Sequence, residues 1–232
     1  MESEFDQYVR EYAIQHKDNI KITGESPEFF AEYKIKDLKR VSAKFDIQAK
    51  EILDYGTGIG NSIPFIRKYF PDSKITGLDI SKLSLEYAEN LHKQPDTDFI
   101  PFEGAEIPAG PDRFDLAFAA CVFHHIPLDK HSDCVKHILR VLKPGGLFMI
   151  YEHNPYNPLT VRAVNTCPFD VNANLVSAGY VKKLLLNSGM VDVRCEYRVF
   201  YPGILKFLRT TEPFLTKIPL GGQYFVVGRK NS

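Results

Sequence analysis

Glu51-Ile52-Leu53-Asp54-Tyr55-Gly56-Thr57-Gly58-Ile59-Gly60 is the stretch on which the fold turns. Its first half is apolar enough for a buried strand. Its second half sets three glycines at two-residue spacing and runs into residues 61–70, which have helical length and composition. Glycines at a strand-to-helix turn allow tight turning and bring backbone N–H groups close to a ligand. Asp79 ends the next predicted strand, residues 74–80, where an acid can accept both hydroxyls of a ribose. Strand, glycine loop, helix, strand and acid in that order point to nucleoside binding. A dinucleotide fingerprint would need glycine where the chain has Asn61, and no Gly-Lys-Ser/Thr follows, so a P-loop is excluded.

Working outward, residues 97–102, 114–123 and 146–153 also read as strands, with helices predicted over 81–94 and 129–142. Strand–helix alternation implies an α/β fold, a parallel sheet covered on both faces. Residues 116–123 show no polar alternation, as expected of a central strand buried on both sides. Ahead of this core, Phe5, Tyr8 and Tyr12 share one helical face. Ser26-Pro27 reads as an N-cap followed by proline at the first helical position, opening a helix that carries Phe30, Tyr33, Leu38, Val41 and Phe45 inward. Behind the core come a helix over 177–188 and strands over 191–200 and 223–229, an antiparallel edge pair split by a proline-rich excursion. The expected division is a helical lid, residues 1–46, and a main domain, residues 47–232, with an insert around 201–221.

The chain has 232 residues, with 29 basic and 29 acidic side chains. Zero net charge argues against a whole-surface nucleic-acid binder. The balance is uneven, however: residues 194–230 hold seven basic and two acidic positions. The longest apolar run, 116–123, is far shorter than the ~20 residues of a bilayer helix, and the acidic N-terminus lacks the apolar core of a signal peptide. Four widely spaced cysteines suit a reducing compartment, and a cytoplasmic protein is expected. No metal-ligand spacing stands out. Nothing sets the oligomeric state.

LDYGTGIG (53–60), GLDIS (77–81), FEGAEIP (102–108), DRFDLAFAACVFHHI (112–126) and HILRVLKPGGLFMI (137–150) together resemble the class I S-adenosylmethionine-dependent methyltransferases. The resemblance covers about 100 contiguous residues, in family order and spacing. It implies a Rossmann-like three-layer sandwich with a seven-stranded sheet in order 3-2-1-4-5-7-6, strand 7 antiparallel. It implies S-adenosyl-L-methionine as cofactor, wrapped at its methionine end by Gly56, Thr57, Gly58 and Gly60. Asp54 would hold the ammonium, and Asp79 with neighbouring Ile80 the ribose. Glu103, Gly104 and Ala105 would flank the adenine, although the family often has Gly-Asp-Ala at this loop. Ala120 and Cys121 would line the sulfonium side. Lys143-Pro144-Gly145-Gly146 matches too, and reads as a tight turn before the fifth strand.

Substrates of such sheets sit beyond the carboxyl ends of the strands. His124 and His125 follow strand four there; Glu152, His153 and Asn154 follow strand five. His125 is the preferred general base, with His124 and His153 behind it, because an imidazole titrates near neutrality. The alternative for His-His is a strand cap, and for Glu152 an orienting partner, a cation ligand or a salt bridge. His131 and His137 are expected on a helix as surface or packing residues. Residues 154–170 form a long, proline-punctuated loop, functional or a rigid connection, with Cys167 a buried neutral thiol. Residues 201–219 mix aromatic, aliphatic and basic side chains. They suit a cover over an apolar acceptor, a peripheral membrane contact, or plain packing on the sheet edge.

EHNPYNPLT (152–160) and LGGQYFVV (220–227) resemble a subset of bacterial-type small-molecule methyltransferases associated with cell-surface saccharide and lipid biosynthesis. The expected reaction is methyl transfer to a small-molecule acceptor, a hydroxyl of a saccharide or lipid-linked intermediate. N-methylation, a non-catalytic cofactor-binding regulator and an NAD-dependent oxidoreductase are the competing readings. No nucleic-acid partner is expected, since no Asn-Pro-Pro-Tyr/Phe motif follows strand four.

Overall fold

The computed structural model describes residues 24–104, 106–170 and 172–231. The aromatic face Phe5/Tyr8/Tyr12 and Ala105 lie outside them. The first described helix, α1 (Pro27–Lys44), starts as its sequence dictates: Ser26 accepts a hydrogen bond from Phe29 N–H, and Pro27 occupies the first turn. Ala31, Ile35, Leu38 and Val41 form its buried stripe. Phe30, Tyr33 and Phe45, expected to point inward, are only half-buried.

Seven strands follow: β1 (Glu51–Tyr55), β2 (Lys74–Asp79), β3 (Thr97–Pro101), β4 (Phe114–Ala120), β5 (Leu142–His153), β6 (Val191–Arg198) and β7 (Gln223–Arg229). They pair in the order β3-β2-β1-β4-β5-β7-β6. β1 to β5 are parallel, and β7 lies antiparallel between β5 and β6. This is the sheet that the glycine motif's family resemblance implies. Helices α2 (Ile63–Tyr69), α3 (Lys82–His92) and α4 (His131–Val141) alternate with the strands, and α6 (Ala178–Asn187) precedes β6. One apolar cluster fills each face of the sheet, around Phe114, Phe148 and Val135 on one side and Ile52, Phe118 and Met149 on the other.

Three boundaries differ from expectation for local reasons. β4 stops at Ala120 rather than at 123, because Cys121 turns the chain with φ +59° and residues 123–125 form a 3-10 turn. That break throws His124 and His125 off the sheet. Residues 143–146 sit within the bounds of β5 as an irregularity, since Leu142 already pairs with Phe114 before Leu147 meets Leu116. Residues 154–170, expected as a loop, contain the helix α5 (Pro158–Asn165), capped by Asn157, and a 3-10 turn over Pro168–Asp170. The excursion after β6 is a 3-10 stretch (Gly203–Thr211) and the four-residue helix α7 (Glu212–Leu215). No cysteine among the described residues is disulfide-bonded.

Candidate active site

The carboxyl ends of β1, β2, β4 and β5 converge on a cavity of about 740 Å³. Its two ends are made differently. At one end the glycine loop crosses from β1 to α2, with Gly56, Gly58 and Gly60 all in the left-handed region. Gly56 is forced by packing: a Cβ there would stand 2.5 Å from the Val122 side chain. Gly60 faces His92 and Ala88 in the same way. Gly58 is different, since a Cβ on it would meet nothing within 4 Å. It looks into the cavity.

Two carboxylates hold this loop. Asp54 is buried and accepts from Thr57 Oγ1 at 2.8 Å. Burial pushes its pKa up to about 7, with the nearby Asp79 adding to the shift and the Thr57 hydrogen bond opposing it. Asp79 accepts from Gly58 N–H at 2.8 Å and from Ser81 N–H at 2.9 Å, which ties β2 to the loop. Ile80, Phe102 and Gly104 continue the wall. Glu103 does not line the cavity but a separate surface depression with Lys82 and Pro108.

The other end is built from side chains. Glu152, buried at the end of β5, accepts from Val122 N–H and Phe123 N–H with one oxygen and meets His124 Nδ1 at 2.6 Å with the other. His124 Nε2 and His125 Nε2 each lie 3.4 Å from Asp170 Oδ1. Burial opposes a charge on His124, but Glu152 and Asp170 outweigh it and push its pKa up to about 10. The same partnership overrides burial to hold Glu152 and Asp170 at about 2. His125, by contrast, is pushed down to about 4 by burial and by the charge on His124. The two adjacent histidines therefore have opposite states at neutral pH: a buried imidazolium and a neutral ring on the cavity wall.

His131 supports the same turn from below. Its Nε2–H reaches the Phe123 and Ile126 carbonyls at 2.9 and 3.0 Å, and Tyr180 O–H meets Nδ1 at 3.1 Å. It is a packing residue. His153 joins the cluster through the His124 ring, at 5.4 Å between centroids, and through Gln223. Cys121 accepts a hydrogen bond from Lys34 Nζ at 3.2 Å. Burial would raise its thiol pKa, but His153 and Lys34 outweigh that and bring it to about 7.

Of the residues assigned from the sequence, Asp54, Gly56, Thr57, Gly58, Asp79, Ile80, Gly104, Ala120, Cys121, His124, His125 and His153 line the cavity, whereas Gly60 and Glu103 do not. Sequence reasoning missed Lys34, which carries no local signal on a predicted packing helix. It also gave no role to Asp170, whose only cue is an acid inside an unusual proline-rich segment.

Residues 52–146 match the family model described as a methyltransferase domain. That stretch is a methyltransferase domain, similar to the class I S-adenosylmethionine-dependent methyltransferases. Among curated proteins, this chain is 23% identical over 120 residues to a phthiotriol/phenolphthiotriol dimycocerosates methyltransferase of Mycobacterium tuberculosis, covering 52% of the chain and 44% of that protein. It is 32% identical over 107 residues to the Arabidopsis thaliana cycloartenol-C-24-methyltransferase, covering 44% and 31%. The chain spans less than half the length of the curated relatives it matches. Among solved structures, an S-adenosylmethionine-dependent methyltransferase from Archaeoglobus fulgidus superposes with a TM-score of 0.65 at 14% identity, over 86% of this chain and 94% of that one. That likeness is one of fold.

The glycine-loop end of the methyltransferase domain fits its class's cofactor on physical grounds. Gly58 leaves a space that no protein atom explains, and Asp54 is a buried carboxylate whose ionisation a bound ammonium would favour. Among the described residues, the ligand atoms of His124, His125 and Asp170 lie within 4.8 Å of one another, close enough to grip a divalent cation. Both ring nitrogens of His124 are already taken up by carboxylates, Nδ1 by Glu152 and Nε2 by Asp170.

Proposed function

We propose that the protein transfers a methyl group from S-adenosylmethionine to a hydroxyl of an apolar, lipid-like small molecule, with no metal ion. The cofactor supplies, when bound, a methyl on a positive sulfonium sulfur that a nucleophile can displace. Asp54 would hold its ammonium and Asp79 its ribose hydroxyls, and Gly58 would leave it room. Ala120 and Cys121, which line the same cavity, would border the sulfonium.

His125 then accepts the acceptor's hydroxyl proton. A ring with its pKa near 4 is a weak base at rest, but Asp170 across from it stabilises the imidazolium as it forms, much as a carboxylate does in a catalytic triad. His124 and Glu152 are positioning residues: they hold the turn that carries His125. Displacement of this kind is dominated by placement of the two reactants.

The observation that carries the acceptor class is the set of apolar side chains in the cavity lining, Phe29, Phe30, Leu159, Phe200 and Pro202. Such side chains desolvate an aliphatic chain, and the histidine cluster orients its hydroxyl. The named relatives acting on long-chain lipid and sterol molecules support the same reading. Calorimetry with S-adenosylhomocysteine tests the cofactor half: micromolar binding is expected, reduced about tenfold or more by Asp79→Asn through loss of charge-assisted hydrogen bonds. Labelled methyl from S-adenosylmethionine should then partition into an organic extract of a lipid mixture. Label confined to water-soluble products would remove the apolar acceptor.

A further inference from the structure

The six most exposed large apolar side chains among the described residues are Ile204 and Phe214 (85% each), Phe207 (70%), Leu159 (66%), Leu220 (64%) and Tyr156 (63%). They come from two segments, 154–160 and 201–222, that are hydrogen-bonded to each other. Asn154 Nδ2 donates to the Pro219 and Gly221 carbonyls, Asn157 Nδ2 to the Leu220 carbonyl and Thr160 Oγ1 to the Gly222 carbonyl. A concentration of this kind on one joined pair of segments marks an interaction surface, whereas singly scattered apolar residues do not.

Charge identifies the occupant. Residues 201–222 contain Lys206, Arg209 and Lys217, and one acid, Glu212. That acid is buried, accepting from Tyr33 O–H and Phe200 N–H. Arg209 is paired with Glu25, so the exposed charge of the segment is that of Lys206 and Lys217, and the segment has no exposed acid of its own. The same two segments flank the cavity: Leu159 lines it while remaining 66% exposed, and Tyr201 and Pro202 line it from the other segment. No helix among the described residues is long and apolar enough to cross a membrane, so contact here means lying on a surface.

We propose that segments 154–160 and 201–222 dock the protein on an anionic phospholipid bilayer, with the mouth of the cavity turned toward the lipid. This deepens the reading of an apolar acceptor and rests on it: the acceptor's chain would pass from bilayer to cavity without being exposed to water. Aromatic and aliphatic side chains enter the headgroup boundary, and Lys206 and Lys217 meet the lipid phosphates.

Co-sedimentation of the full chain with phosphatidylcholine vesicles, with and without phosphatidylglycerol, tests it. Binding should require phosphatidylglycerol. Phe207→Ser with Phe214→Ser should lower partitioning about tenfold or more, and Lys206→Glu with Lys217→Glu should abolish the preference for anionic lipid. Neither pair lines the cavity, so circular dichroism and S-adenosylhomocysteine affinity should stay as in the parent chain. Failure of the parent chain to bind, or equal binding by both variants, overturns the proposal. So does self-association of the parent chain that the Phe207/Phe214 variant reverses, which would make the surface an interface between copies. Intact S-adenosylhomocysteine binding alongside failed vesicle binding removes the docking surface and leaves the methyltransferase reading standing. Absent S-adenosylhomocysteine binding removes that reading instead.

Discussion

The two ends of the cavity are built on different length scales. At the glycine loop, the ties run from Thr57 to Asp54 three residues away, from Ser81 to Asp79 two away, and from Gly58 to Asp79 across 21. At the acceptor end, Glu152 reaches back to Val122, Phe123 and His124 across 28 to 30 residues. Arg209 and Glu25, which also line the cavity, meet across 184. The first end is mainly backbone geometry enforced by glycines. The second is a set of side chains that meet only once the sheet has closed. A cofactor common to a whole family needs an invariant cradle, whereas acceptors differ and are met by elements that can be exchanged without disturbing it.

If the two ends work independently, one substitution should silence the acceptor end while leaving the cradle intact. His125→Ala is expected to lower turnover by about 10² to 10⁴, the usual worth of a positioned base, with S-adenosylhomocysteine affinity changed less than about twofold. Single-turnover kinetics beside calorimetry separate the two readouts. Undiminished turnover would take the proton-acceptor role from His125 and favour an amine acceptor that needs only positioning.

The cradle breaks in two distinguishable ways. Gly56→Ala introduces a Cβ 2.5 Å from Val122 at φ +75°. Backbone strain of about 1–2 kcal/mol and overpacking of about 1–3 kcal/mol should destabilise the fold itself, lowering Tm by roughly 5–15 °C for a chain of this size. Gly58→Ala keeps a milder strain at φ +55° but clashes with nothing in the protein. Its Tm should fall only about 2–4 °C, while S-adenosylhomocysteine affinity drops about tenfold or more because the methyl occupies ligand space. Equal behaviour of the two variants would show that Gly58 serves the turn rather than a ligand.

This contrast of length scales also explains what could be read from the chain alone. Gly56, Gly58, Gly60 and Asp79 carry their meaning in spacing, since a left-handed turn and a strand-end acid are local requirements. Strand order came the same way, through motifs that resemble a known family. Asp170 and Lys34 carry no such signature, because an acid in a loop and a lysine on a helix become site residues only through distant partners. The early end of β4 was missed for a related reason. Cys121 and Val122 continue an apolar run, and nothing local announces that Glu152, thirty residues on, captures the Val122 and Phe123 amides into a turn. The helix within residues 154–170 was hidden by prolines that read as breakers, although Pro158 in fact opens it.

The finest test of the comparison uses protons. Asp54 has its folded pKa raised from 3.8 to about 7, so between these values the folded state binds more protons than the unfolded one, and its contribution to stability falls as pH rises. His125 has its folded pKa lowered from 6.5 to about 4. Over that interval the unfolded state binds more protons, and its contribution rises with pH. Across pH 4.5–6.5 the slopes oppose each other, each about 1.4 kcal/mol per pH unit at most. The buried His124–Glu152 pair stays charged through this window, its folded values of about 10 and 2 lying outside it. Denaturant unfolding of the ligand-free protein should therefore show little dependence on pH from these two groups. Asp54→Asn should unmask stability that rises with pH, and His125→Ala stability that falls. The two variants would then diverge by about 2–3 kcal/mol per pH unit. Binding of S-adenosylhomocysteine should follow Asp54 alone, weakening toward tenfold per pH unit below 7 as its carboxylate is protonated, with that dependence lost in Asp54→Asn and kept in His125→Ala. Parallel pH profiles for the two variants would mean that the ends are electrostatically one site, and would undo the separation between cradle and acceptor pocket.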